Sequence, residues 1–84
     1  MKASTLRHIA SEAEEAAAIY GPFSSTHEAL GVITEEFHEL IEAIRSNDLA
    51  AVSREVLQVA AVAARLADQC GSPSEAFAKR SGVK

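Results

Sequence analysis

Glu35-Glu36-Phe37-His38-Glu39 is followed, after fifteen intervening residues, by Glu55-Val56-Leu57-Gln58. Residues three apart share one face of a helix, so Glu36 and Glu39 project together, and Glu55 and Gln58 do the same. Two helices carrying these pairs and packed antiparallel would bring three carboxylates and a carboxamide together. Hard oxygen donors of that kind suit a divalent cation such as Mg²⁺. Two features set the pattern apart from an ordinary solvated acidic face, which is the plainer reading of Glu28, Glu35, Glu39 and Glu42. Arg45 is the only Lys or Arg between Thr26 and Ser46, so the acids have few cations beside them. Gln58 is the only polar side chain between Val56 and Ala64, and a polar group in such a run needs partners. Those partners are either a structural bond across an interface or a polar site.

The elements that must position these residues are helices. Leu6, Ile9, Ala13, Ala16, Ala17 and Tyr20 recur at spacings of three and four and predict a helix over 4–19, with Glu12, Glu14 and Glu15 mostly on its wet side. Gly21-Pro22 ends it. Ser25-Thr26-His27-Glu28 matches a capping box and opens a second helix over 26–46. Its core stripe is read as Leu30, Ile33, Phe37, Leu40, Ile41 and Ile44. Asn47 or Asp48 caps a third helix over 49–69, and Gly71 stops it. So short a link makes the second and third helices an antiparallel hairpin. Ser72-Pro73-Ser74-Glu75 opens a short fourth helix over 73–79.

Composition agrees. The 84 residues make a single all-α domain, a helical bundle, with 48% hydrophobic and 5% aromatic residues, no Trp, four Gly and two Pro. A third helix apolar nearly all round must be covered on more than one side, which predicts self-association as a homodimer or higher oligomer. A net charge of -4 with dispersed cations argues against binding a nucleic acid duplex. The run from Val56 to Ala64 is too short to span a membrane. The lone Cys70 excludes an internal disulfide and fits a reducing cytoplasmic setting; at a helix end it reads as a small half-buried residue.

The spacing Glu35-Glu36-x-x-Glu39, then Glu55-x-x-Gln58, resembles the EExxE and ExxD signature of the all-α nucleoside triphosphate pyrophosphohydrolases, which include MazG-like proteins and dimeric dUTPases. The segments from His27 to Leu40 and from Glu55 to Ala63 also resemble small MazG-like proteins of phages and prophages. The resemblance implies Mg²⁺ as cofactor, with Mn²⁺ as a substitute, held by Glu36, Glu39, Glu55 and Gln58. It implies Glu35 as a catalytic residue that orients water, and a nucleoside triphosphate as substrate, cleaved to a monophosphate and pyrophosphate. Gln58 stands where the family pattern has Asp; its carbonyl can ligate a cation but is neutral and cannot bridge two. The alternative is therefore a non-catalytic helical module that binds nucleotide or a protein partner.

Beyond these, His27, Arg54 and Lys79 are candidates for contacting substrate, with Arg65 and Arg80 as further cations. His38 reads as a surface or interface residue. Tyr20 and Phe23 either stack on a base or plug the end of the bundle.

Overall fold

The computed structural model describes residues 1–71, so the expected helix over 73–79, and with it Lys79 and Arg80, lies outside the described residues. Among the described residues the chain is all-α, with α1 (Ala3–Tyr20), α2 (Thr26–Arg45) and α3 (Leu49–Cys70) and no strand. Each helix departs from its expected range by no more than one residue at either end, the usual fraying of a terminus.

Local chemistry sets those ends. Gly21 closes α1 at φ 71°, its N–H donating to the Ala17 carbonyl at 2.9 Å. Ser25 Oγ accepts from the Glu28 N–H at 3.1 Å, as the capping box requires. Glu28 reaches back one residue further than expected. It accepts from Ser24 Oγ at 2.7 Å and Ser24 N–H at 3.3 Å instead of from the Ser25 N–H. The Ser24 hydroxyl first, and the Ser24 N–H second, hold the Glu28 carboxyl below its usual value.

The reversal between α2 and α3 is a Schellman turn. The Asp48 N–H donates to the Ala43 carbonyl at 3.2 Å and the Asn47 N–H to the Ile44 carbonyl at 3.1 Å. Asn47 takes the left-handed position at φ 56°, which Asn tolerates better than most side chains. Asp48 then caps α3 by accepting from the Ala51 N–H at 3.1 Å.

Packing centres on α3. Both α1 and α2 lie against it and scarcely touch each other. Among the described residues Phe23, Ala29, Ala43, Ala61 and Val62 are the buried hydrophobics, and all but Phe23 are small. Phe23 plugs the end of the assembly between Ala29 and Val62, with Val32, Ile33 and Leu66 around it. The Phe23 N–H donates to Gln69 Oε1 at 2.9 Å, and Gln69 Nε2 donates back to the Phe23 carbonyl at 2.6 Å. Arg65 lies 4.3 Å from the Phe23 ring centroid and donates to the Gly21 carbonyl at 3.2 Å.

Several sequence expectations need correction. Leu30, Phe37 and Ile44, read as core, are 60%, 53% and 54% exposed. Ala29 and Ala43 are the buried residues of α2, with Val32, Ile33, Glu36, Leu40 and Ile41 half-buried, so Ile33, Leu40 and Ile41 of the expected stripe do turn inward while Leu30, Phe37 and Ile44 do not. Small side chains let α2 approach α3 closely, and Leu30, Phe37 and Ile44 are displaced about 100° round the helix. Leu6 and Tyr20 of the α1 stripe are likewise exposed. Glu12, placed on the wet side of α1, is half-buried, and Cys70 is exposed.

Candidate metal centre and adjoining cleft

α2 contributes Glu36 and Glu39, and α3 contributes Glu55. One carboxylate oxygen from each lies within 4.8 Å of the other two. Glu36 and Glu55 are half-buried and Glu39 is exposed. Burial raises the Glu36 pKa above the usual carboxylate value, and the charges of Glu39, Glu55 and Glu35 push it the same way. The convergence is therefore electrostatically uncomfortable in the absence of a cation. Among the described residues the one ion pair that touches it is Arg54 Nε with Glu55 Oε1, at 3.5 Å. Glu35 is exposed and outside the close trio, near enough to act on Glu36.

Gln58 lies one turn along α3 from Glu55. Its Nε2 donates to Oε2 of Glu12 on α1 at 2.9 Å. The expectation that Gln58 has a polar partner is met, but by a residue from the first helix. A cleft of about 360 Å³ runs from Glu36 past Gln58 and Glu12 to Phe23 and Arg65, with Tyr20 and Glu28 also on its wall. A second cleft of about 570 Å³ lies between α1 and α3, lined by Leu6, Ile9, Ala13, Ala64 and Asp68 among others, and does not touch the carboxylates. Size does not select the functional one; contiguity with the carboxylates favours the smaller.

The remaining candidates separate cleanly. Arg54 stands beside Glu55. His27 is exposed at the start of α2 and lines neither cleft, and His38 is exposed. Tyr20 is exposed at the cleft, whereas Phe23 is the plug. Glu12 was missed by sequence reading. Its signal was present: it follows Ile9 by three and precedes Ala16 by four, so it shares the face that packs on α3.

Among the described residues no helix is long and apolar enough to cross a membrane. Compared with protein-family models, curated proteins and solved structures, the chain matches none.

Proposed function

We propose that the chain is a MazG-like nucleoside triphosphate pyrophosphohydrolase that uses Mg²⁺, or Mn²⁺ in its place. The observation that carries this reading is the meeting of Glu36, Glu39 and Glu55 from two antiparallel helices, oxygens within 4.8 Å, with Glu36 also lining a cleft. The donor set fits the ion: all oxygen, predominantly anionic, with the raised Glu36 pKa reporting negative charge that a cation would relieve. Bound there, a divalent cation would offset phosphate charge and lower the pKa of the attacking water.

The chain's own residues do the rest. Glu36, Glu39 and Glu55 supply charged ligands, and Gln58 a neutral carbonyl oxygen. Glu35, exposed beside Glu36, orients the water. Arg54, paired with Glu55, is the cation available to a phosphate oxygen beside the trio, and the cleft toward Phe23 would take the remainder of the nucleotide. Such a site works by positioning and charge stabilisation.

A second reading, nucleotide binding without turnover, draws on Gln58, which is neutral where the resembled pattern has Asp. One experiment separates the two. Pyrophosphate release is measured from a panel of ribo- and deoxyribonucleoside triphosphates with Mg²⁺ or Mn²⁺, using wild type, Glu39→Gln and Gln58→Asp. The enzyme reading expects release by wild type and its loss in Glu39→Gln, by 10²-fold or more on the order of what one charge-stabilising group contributes. Release only from Gln58→Asp would support the second reading. Silence from all three sinks the proposal.

The proposal includes a second copy of the chain as partner. Leu30, Phe37 and Ile44 on α2 and Leu49 and Val56 on α3 are all at least 46% exposed. Helical geometry puts both rows on the face of the hairpin turned away from α1. An apolar face of that kind fits an interface between copies.

A further inference from the structure

We infer that Glu12 is a positioning residue for the metal centre: by holding Nε2 of Gln58, it leaves Oε1 as the edge of the carboxamide offered to a cation. The inference rests on the metal reading above. A carboxamide presents two edges of nearly equal size, one an acceptor and one a donor. Only the acceptor edge can ligate a cation. Left alone beside Glu36 and Glu55, Gln58 would turn its NH₂ toward those carboxylates, because a donor bonded to an anion makes a strong hydrogen bond. That rotamer would satisfy the acids and close the site to a cation.

Glu12, from α1, engages that NH₂ instead. Its Oε2 accepts from Nε2 at 2.9 Å, in a partly buried setting where such bonds are strengthened. Glu12 is half-buried, and among the described residues it forms no ion pair with Lys or Arg. A half-buried carboxylate on a face otherwise made of Ile9, Ala13 and Ala16 is accounted for by this one bond. Outer partners that fix the orientation of a metal ligand typically change metal affinity 10- to 100-fold. The arrangement also explains how a neutral Gln can occupy a ligand position: a fourth carboxylate, on α1, fixes which edge it shows.

The test uses Mn²⁺ alone, its binding followed through the electron paramagnetic resonance signal of the free ion, with melting temperature in chelator as a check on folding. Wild type, Glu12→Ala, Glu12→Gln, Gln58→Ala and the double variant Glu12→Ala with Gln58→Ala are compared. Glu12→Ala is expected to weaken Mn²⁺ binding by roughly tenfold or more. Glu12→Gln keeps an acceptor oxygen and is expected to restore most of that loss. With Ala at position 58, changing Glu12 is expected to have no further effect. If Glu12→Ala binds like wild type, or weakens binding equally with Ala at 58, Glu12 does not act through Gln58 and the inference falls while the metal reading stands. If wild type binds no Mn²⁺, both fall together.

Discussion

Glu36 carries the tension of the site. Burial and three neighbouring carboxylates raise its pKa, so the folded state holds its proton to higher pH than the unfolded chain does. The charged form therefore opposes folding, and this penalty is absent in strong acid and fully present once the pH has risen past the raised pKa. Glu36→Gln is expected to raise the metal-free melting temperature by a few degrees at neutral pH, with the gain vanishing below the usual carboxylate range. Thermal unfolding in chelator across that span checks it; a gain independent of pH would contradict the argument. Adding Mg²⁺ should raise the melting temperature of wild type, by linkage to the folded state, and leave Glu39→Gln unmoved. The trio itself was legible in the sequence because spacings of three on two helices translate directly into geometry. Glu12 was not, because a Glu on a weak, Ala-rich stripe reads equally well as surface and its partner lies 46 positions away.

Among the helices, what was legible was local. Ser25 and Asp48 as caps, and Gly21 and Gly71 as stops, follow from side chains acting on backbone within a few residues. Asp48→Ala is expected to destabilise by about 1 kcal/mol in urea unfolding, the usual worth of such a cap. At Asn47, φ 56° makes the choice of residue matter. Asn47→Gly should be neutral or slightly stabilising, whereas Asn47→Val should lose about 1–2 kcal/mol through its Cβ; equal stability of the two variants would count against the turn. Ile33, Leu40 and Ile41 turn inward as their spacing implies, but Leu30, Phe37 and Ile44 were misread for a different reason. Ala29-Glu36-Ala43 and Leu30-Phe37-Ile44 have the same spacing and lie side by side. Hydrophobicity favours the larger set, while close approach of two helices favours the smaller. Only tertiary packing decides between them.

For the molecule as a whole, the shortage of burial is the governing fact: among the described residues five hydrophobic residues are buried, and four of those are Ala or Val. Burying apolar surface stabilises by about 25 cal/mol per Å², so a second copy covering Leu30, Phe37, Ile44, Leu49 and Val56 would add substantially to what one chain achieves. Phe37→Glu combined with Val56→Glu is expected to shift the wild-type assembly to monomer in sedimentation velocity and to lower the melting temperature; wild type sedimenting as monomer would exclude the partner. The pattern of contacts has a separate consequence. Because α1 rests on α3 and scarcely on α2, it can lift away while the hairpin stays whole. Its amides should then exchange with deuterium through a cheaper, sub-global opening than those of α2 and α3. The Phe23 loop would stay clamped to α3 through Gln69 and Arg65 during that excursion. Such breathing would remove one wall of the cleft and break the Gln58–Glu12 bond, so the fastest-exchanging helix would also decide how long Gln58 keeps one edge fixed.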